Sequence, residues 1–320
     1  VDDGKSTLIG HMLYDAKLLF ADQEKALKME SKIGSANGAL DYSLLLDGLM
    51  AEREQGITID VAYRYFSTER RSFIVADTPG HEEYTRNMAV GASFASLAVI
   101  LTDATQGVLI QTRRHARICA LMGIRHFVFA VNKMDLVNYD LDRFHRLERE
   151  IKVLMSEFEY DTMKIIPVSA TRGDNVTSHA ASMPWYKGEA LLEYLEKVDV
   201  EEEAENTGFV LPIQRVCRPD HTFRGFQGQI ASGSVTVGDE LTALPSGEKA
   251  NVLSIHVGDE KVNEASTGMP VNIQLDREID ISRGCVLEKK STCQTGTLFA
   301  ADILWMDDDR LMAGRNYMLK

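Results

Sequence analysis

The sequence predicts an α/β domain with a mostly parallel sheet and helices on both faces, followed by a small antiparallel β-barrel and the start of a second β-barrel. Two observations predict this order. Short apolar runs rich in β-branched residues alternate with helical patterns as far as residue 197, and short alternating strands separated by turns follow an acidic stretch. At 320 residues the chain is also too long for one typical domain.

The first domain is expected to cover residues 1–197. Its strands are predicted by the apolar runs at residues 73–76, 97–102, 127–131 and 165–168. Residues 112–122 have helical spacing and precede Gly123, which suits the end of a helix, and residues 141–158 carry apolar residues three and four apart. Strands and helices that alternate in this way indicate a sheet covered by helices on both faces.

The second half of the chain has a different pattern. Like charges in residues 198–207 predict an exposed acidic linker, and residues 208–292 are predicted to form the β-barrel. Its turn signals lie at residues 232–233, 237–239, 245–247 and 258–259. Strands expected at residues 298–305 and 317–320 would begin a second barrel within residues 293–320, where we expect the sequence to be truncated.

Composition limits the possible partners. The chain has 35 Lys and Arg against 48 Asp and Glu, a net charge of −13, which argues against a nucleic acid partner. With no run of eighteen apolar residues, no membrane span is expected. The four cysteines have no zinc-site spacing, which is typical of reduced thiols in a cytoplasmic protein: Cys119, Cys217, Cys285 and Cys293.

The first residues match the end of a phosphate-binding loop, G-x-x-x-x-G-K-[ST]. The residues expected to bind nucleotide there are Asp2, Asp3, Gly4, Lys5, Ser6 and Thr7. In such a loop, backbone N–H groups and a helix N-terminus surround the phosphates, the Lys5 ammonium neutralises their charge, and Ser6 is a magnesium ligand. The first glycine of the pattern would lie before Val1, so we expect the loop and its preceding strand to begin outside this sequence.

Two further segments are expected to hold magnesium and the γ-phosphate. Asp77 ends an apolar strand and begins the sequence Asp-Thr-Pro-Gly-His, in which Gly80 offers a backbone N–H to the γ-phosphate. Residues 52–60 occupy the position of a first switch, where Thr58 can give its hydroxyl to magnesium. The expected metal ligands are therefore Ser6, Thr58 and Asp77.

A third group is expected to read a guanine base. Asn132 and Lys133 precede Asp135 in the pattern N-K-x-D, which follows an apolar strand. The Asp135 carboxylate can accept from the ring N1–H and the 2-amino group of guanine, a donor pair that adenine lacks. Ser169 and Ala170 follow the next strand, in a loop whose backbone N–H can meet the guanine carbonyl oxygen.

One histidine is assigned a catalytic role. His81 follows the Asp-Thr-Pro-Gly turn, where it could orient the water that attacks the γ-phosphate. The remaining histidines have no shared spacing and are expected in surface or packing roles: His11, His115, His126, His145, His179, His221 and His256. The arginine pairs at residues 70–71 and 113–114 are expected on solvated faces.

The motifs, in this order and with a barrel following, resemble those of elongation-factor-type GTPases. Finer features resemble the GTPase subunit of bacterial sulfate adenylyltransferase; they lie at residues 2–7, 47–66, 84–88, 173–175, 183–186 and 280–284. Two positions depart from that family, because Glu83 stands where Gln is usual and His11 where Arg is usual.

The resemblance implies GTP and Mg²⁺ as cofactors and a catalytic small subunit, the ATP-sulfate adenylyltransferase, as partner. On that subunit adenylyl sulfate and pyrophosphate form from ATP and sulfate, driven by GTP hydrolysis on this chain. An elongation factor that delivers aminoacyl-tRNA is the alternative. It shares every nucleotide motif, but the net charge and residues 183–186 argue against it. A scaffold without GTPase activity is a poor third reading, since the whole motif set is present.

Overall fold

The computed structural model describes residues 3–15, 58, 60–200, 208–218, 223–258, 260–290, 293, 295–301, 303–307 and 309–318. The chain divides into two compact units. The first comprises Val1–Val200 with Ile303–Lys320, and the second comprises Glu201–Asp302. Asp2 and most of the expected linker, residues 201–207, lie outside the described residues.

Strands and helices alternate along the described part of the first unit. The strands are β1 (Ala62–Ser67), β2 (Ser72–Asp77), β3 (Leu97–Asp103), β4 (His126–Asn132) and β5 (Thr162–Pro167). The α-helices are α1 (Lys5–Asp15), α2 (Thr85–Ala92), α3 (Ile110–Leu121), α4 (Leu141–Met155) and α5 (Leu191–Lys197). Short 3-10 helices form at Glu82–Tyr84 and Met134–Val137.

The central sheet is parallel, as predicted. Strands β3, β4 and β5 pair in that order, with Leu97 opposite His126 and His126 opposite Thr162. The run at residues 73–76 differs from the expectation, because β2 pairs antiparallel with β1. Only residues 68–71 separate the two strands, a length that favours a hairpin. The α/β architecture with a mostly parallel sheet is otherwise confirmed.

Helices cover both faces of β4, which is buried at every residue. Phe127 and Phe129 pack in a core that includes α3 and α4, while Val128 and Ala130 pack in a second core that includes α1 and α5. The helix predicted at residues 141–158 is confirmed as α4. None of the helices in the described ranges is both long and apolar enough to cross a membrane.

The second unit is an antiparallel, curled half-barrel. Its strands are β6 (Val210–Pro212), β7 (Arg215–Cys217), β8 (Gly225–Gln229), β9 (Ser234–Thr236), β10 (Glu240–Leu244), β11 (Glu248–Val257), β12 (Glu260–Val262), β13 (Glu264–Ser266), β14 (Pro270–Leu275) and β15 (Val286–Glu288). They run in the order β6-β15-β10-β11-β14-β8-β7, with β12 beside β11 and a separate β9–β13 pair. Alternate residues such as Leu241 and Ala243 fill its core, as a period of two requires.

The strands expected at residues 298–305 and 317–320 are not present in the described part of those segments. Instead, Leu304 and Met306 pack against the core of the first unit. The Met306 carbonyl accepts a hydrogen bond from Arg86 Nε at 2.6 Å. These contacts assign the segment to the first unit, and a second barrel stays a prediction.

Candidate functional site

The phosphate-binding motif forms a turn followed by a helix. Gly4 has a φ of +83°, and a Cβ on it would lie 2.5 Å from Asn132 Nδ2. Both observations require glycine at this position. Its carbonyl accepts from Leu8 N at 2.8 Å, which starts α1 directly after the turn. The N-terminus of α1 thus presents backbone N–H groups, which favour a bound anion.

The Lys5 ammonium lies among oxygen atoms from two other segments. Its Nζ is 2.9 Å from Thr58 Oγ1, 2.5 Å from the Thr78 carbonyl oxygen and 3.0 Å from Asp77 Oδ1. Asp77 is only 4% exposed, and its Oδ1 has no well-aligned hydrogen bond among the described residues. A hydroxyl and a buried carboxylate therefore converge on one cation. Such hard oxygen donors fit Mg²⁺, and Ser6 lies beside them in the wall of the same cavity.

The turn after Asp77 leads into the 3-10 helix Glu82–Tyr84, and His81 caps that helix. His81 Nδ1 accepts from Glu83 N at 3.3 Å, and the side chain is 36% exposed. Glu83 Oε2 lies 3.9 Å from the same nitrogen. The imidazole is thus held through Nδ1 by its own helix while it lines the cavity next to Gly80.

Two neighbouring residues of α3 hold this turn. Arg114 Nη1 and Nη2 both donate to Glu82 Oε2 at 3.2 Å, and His115 hydrogen-bonds to the backbone of Gly80. The pKa of His115 is lowered to about 4, chiefly because burial disfavours the charged ring. The positive charges of Lys5 and Arg114 act in the same direction. Its ring is therefore neutral near pH 7. Arg114, expected on a solvated face, and His115, expected in a surface or packing role, thus also contact the turn before His81.

Asn132 connects the phosphate loop to the loop after β5. Its Nδ2 donates to the Asp3 carbonyl at 2.7 Å, and its Oδ1 accepts from Ala170 N at 2.9 Å. The side chain is 2% exposed. The end of β4 thus fixes the spacing between two segments far apart in sequence.

The next residue pairs with an aspartate that lies at the end of β3. Lys133 has a φ of 63°, and its Nζ is 2.7 Å from Asp103 Oδ2. Burial raises the pKa of Asp103, but hydrogen bonds from Lys133 and Thr105 outweigh it and hold this pKa below its usual value. An ionised Asp103 therefore fixes the Lys133 side chain.

The Asp135 carboxylate is held by the loop after β5. Ser169 Oγ donates to Asp135 Oδ1 at 2.7 Å, and Arg172 Nε lies 3.9 Å from Oδ2. Ser169 is fully buried. The N–H of Ala170 donates to Asn132, so it is already engaged in holding the loop. The Ser169 hydroxyl therefore orients the Asp135 carboxylate through Oδ1.

A cavity of about 1160 Å³ brings the predicted residues together. It is lined by Asp3, Gly4, Lys5, Ser6, Thr7, Thr58, Asp77, Gly80, His81, Asn132, Lys133, Asp135 and Ala170. Ser169 lies beneath this surface, bonded to Asp135. The space continues between β2 and β3, where Ile74 and Val99 are among its lining residues. Basic, acidic and hydroxyl groups from five separate segments thus face one space large enough for a nucleotide.

Comparison with known proteins gives one consistent result. The family profile described as Elongation factor Tu GTP binding domain matches residues 1–204. Sulfate adenylyltransferase subunit 1 of Aliivibrio salmonicida (strain LFI1238) is 51% identical over 324 residues, covering 100% of this chain and 68% of the relative. The protein of that name from Vibrio cholerae serotype O1 (strain M66-2) is 52% identical over 324 residues, with the same coverage. The chain belongs to the sulfate adenylyltransferase subunit 1 family.

Membership in the sulfate adenylyltransferase subunit 1 family confirms the resemblance found in the sequence, and the matched domain supports GTP as its ligand. Among solved structures, a bacterial selenocysteine-specific elongation factor, EF-Sec, aligns with a TM-score of 0.48 and 22% identity, over 91% of this chain and 43% of that chain.

This member of the sulfate adenylyltransferase subunit 1 family has three site residues that sequence reasoning missed. They are His11, Asp103 and His115. Asp103 ends an apolar strand, as Asp77 does, and that position was a usable signal. His115 gave none, because its partner is the backbone of Gly80, distant in sequence, whereas the spacing of His11 and Asp15, four residues apart on one helix, was a usable signal for His11.

Proposed function

We propose that this chain binds and hydrolyses GTP, and that hydrolysis drives formation of adenylyl sulfate and pyrophosphate from ATP and sulfate on a partner subunit, in the cytoplasm. The observation that carries the proposal is the single cavity in which Lys5, Asp77 and Asp135 meet. The name of the relatives, sulfate adenylyltransferase subunit 1, supports both the reaction and the partner, a catalytic small subunit.

The phosphate side of the cavity binds the triphosphate and the metal. Lys5 neutralises the β- and γ-phosphates, and the N-terminus of α1 donates backbone N–H groups, together with the loop residues Asp2, Asp3, Gly4 and Thr7. Ser6, Thr58 and Asp77 would hold Mg²⁺. Bound there, Mg²⁺ offsets the charge that develops on the transferred phosphoryl group. The convergence of Thr58 and Asp77 oxygens on the Lys5 cation supports this assignment.

The opposite side of the cavity selects the base. Asp135 accepts from the N1–H and the 2-amino group of guanine, while Ser169 holds the carboxylate in place. Lys133, fixed by Asp103, covers the base. A buried carboxylate left without these donors would cost about 1 to 3 kcal/mol, which disfavours adenine.

His81 orients the attacking water beside Gly80, whose N–H meets the γ-phosphate. His81 Nδ1 is occupied by the Glu83 N–H, so the ring offers Nε2 to the water. Arg114 of α3 is bonded to Glu82 of this turn. Since the described residues of the phosphate and switch motifs, 3–7, 58, 60 and 77–81, include no arginine to neutralise the transition state, we propose that hydrolysis by this chain alone is slow and that the partner accelerates it.

Delivery of aminoacyl-tRNA is the alternative from another functional class. Elongation factors share the nucleotide motifs, but the relatives that are about half identical to this chain over its whole length carry the sulfate adenylyltransferase name. The net charge of −13 also argues against a tRNA partner.

The test measures GTP hydrolysis by the full-length protein alone and with the small subunit, ATP and sulfate. We expect a slow rate alone and a rise with the complete mixture; activation in other GTPases reaches roughly 10³ to 10⁵-fold. His81→Ala should lose the stimulated rate and keep GTP binding nearly intact.

His145→Ala is the matched control, because His145 is exposed on α4 and lies outside the cavity. It should hydrolyse GTP at the rate of the unmodified protein. Equal rates in all conditions, or stimulation by ribosomes instead of the small subunit, would overturn the proposed function in favour of the elongation-factor alternative.

A further inference from the structure

A buried histidine joins the phosphate-binding helix to the base-reading loop. His11 lies on α1 and is 5% exposed. Its Nδ1 is 2.6 Å from the carbonyl oxygen of Ala170, and its Nε2 is 3.1 Å from Asp15 Oδ2. A carbonyl oxygen can only accept hydrogen bonds, so Nδ1 donates to Ala170, while Nε2 faces the Asp15 carboxylate.

The loop around residues 169–177 is shaped to receive this ring. Gly173 has a φ of +77°, and a Cβ on it would lie 2.5 Å from His11 Nε2. Asp15 Oδ2 also accepts from Thr177 Oγ1 at 3.3 Å. The loop thus meets α1 at the Ala170 carbonyl and at Asp15, and Gly173 leaves the space for the ring between them.

Through Ala170, His11 acts on the residues that face the base. The Ala170 carbonyl is held by His11 and its N–H by Asn132, so this residue is fixed from both sides. The preceding residue, Ser169, donates its hydroxyl to Asp135 at 2.7 Å. A shift of Ala170 toward or away from α1 would therefore move the hydroxyl that orients the Asp135 carboxylate.

We propose that His11 is a positioning residue for guanine recognition, which fixes the distance between the base-reading loop and the phosphate-binding helix through its contacts with Ala170 and Asp15. The inference rests on the proposed function and names a determinant of its base specificity. His11 does not touch the base; it acts through Ala170, Ser169 and Asp135. The position faces two oxygen acceptors, and an arginine side chain can donate to both.

The experiment compares GTP with inosine triphosphate, which lacks the 2-amino group that Asp135 reads. Equilibrium dissociation constants of both nucleotides are measured for the full-length protein and for His11→Leu, His11→Gln and His11→Arg. A merely structural defect would weaken both nucleotides equally, whereas misplacement of Asp135 lowers the preference for GTP. We expect His11→Leu to lower the ratio of the two constants roughly tenfold, His11→Gln to be intermediate, and His11→Arg to stay within about threefold of the unmodified protein.

Asp15→Asn keeps the experiment decisive if His11→Leu does not fold. Asp15 is partly exposed, and the amide removes the charge from its 3.1 Å contact with His11 Nε2 while keeping the shape of the side chain, so a smaller loss of GTP preference is expected. His145→Leu, on the exposed face of α4, is the control and should change neither constant.

The outcomes separate the two proposals. If the unmodified protein does not prefer GTP over inosine triphosphate, the proposed function fails. If it does, and folded His11→Leu, His11→Gln and Asp15→Asn all keep the full preference, only the positioning role of His11 is overturned. A loss with His11→Arg as large as that with His11→Leu would also overturn it, because the contacts with Ala170 and Asp15 would then be irrelevant.

Discussion

Replacement of Asn132 by alanine tests how far the spacing of the two nucleotide-binding loops depends on one side chain. The change removes the hydrogen bond to the Asp3 carbonyl, 2.7 Å long, and that from Ala170 N, 2.9 Å long. Each lost bond costs about 1 kcal/mol, and a buried donor left without a partner adds about 1 to 3 kcal/mol. The total is about 3 to 5 kcal/mol, which corresponds to a loss of roughly 100-fold or more in GTP affinity.

The assay is calorimetric titration of the full-length protein with GTP, together with urea unfolding to show that the variant is folded. Asn251→Ala is the control, because it removes a side-chain hydrogen bond of 2.8 Å to Asp276 in the half-barrel and leaves the cavity unchanged. Its GTP affinity should equal that of the unmodified protein. A dissociation constant for Asn132→Ala within threefold of the original would refute the reasoning, since the bridge would then contribute nothing to binding.

Three further predictions follow from the same geometry. Asp135→Asn should shift preference from GTP toward xanthosine triphosphate, because an amide can donate to the C2 carbonyl that replaces the amino group; an unchanged preference in a competition assay would show that Asp135 does not read the base. Gly4→Ala should weaken GTP binding and lower stability by about 1 to 3 kcal/mol, given its φ of +83° and the 2.5 Å approach to Asn132; calorimetry and unfolding on the same sample check both effects. The lowered pKa of His115 means that the unfolded chain binds a proton between pH 6.5 and about 4 that the folded chain does not, so stability should fall as pH falls through that window. The loss reaches about 3 kcal/mol at most; urea midpoints across the window should fall less steeply for His115→Gln, and parallel curves would contradict the pKa assignment.

Sequence reasoning predicted the fold, and the residues that share the cavity, where the signal lies within a few neighbouring residues. Apolar runs predicted β3, β4 and β5 because a strand buried on both faces must be apolar along its whole length. The N-K-x-D pattern was found because it lies at the end of such a strand, and Asp77 because it ends the apolar run of β2. Motif order then placed them at one edge of the sheet, and the structure brings them into one cavity.

The rest depended on partners that only the folded chain supplies. His11 and His115 were expected in surface or packing roles, and each also hydrogen-bonds to the backbone of the site, a partner that no side-chain pattern reveals. Arg71 was expected on a solvated face, but its Nη1 donates to the carbonyls of Leu195 and Val198 at the end of α5. Residues 298–305 are a mostly apolar run that was expected to form a strand, but Leu304 and Met306 pack against the core of the first unit. Contacts between residues far apart in sequence therefore determine the surroundings of His11, His115 and Arg71 and the packing of Leu304 and Met306.

The complete burial of β4 has a consequence for how this protein moves. Amide groups in a strand enclosed by two cores exchange with solvent only when the whole domain unfolds, so Asn132 and its neighbours stand on the slowest-exchanging part of the molecule. The 3-10 helix Glu82–Tyr84 has no buried residue, and its amides can open at a much lower free energy. Hydrogen exchange should therefore divide the cavity into a base side that stays closed until global unfolding and a γ-phosphate side that opens locally. The identity of the nucleotide would be read by the rigid half, and the presence of its last phosphate by the half that can move.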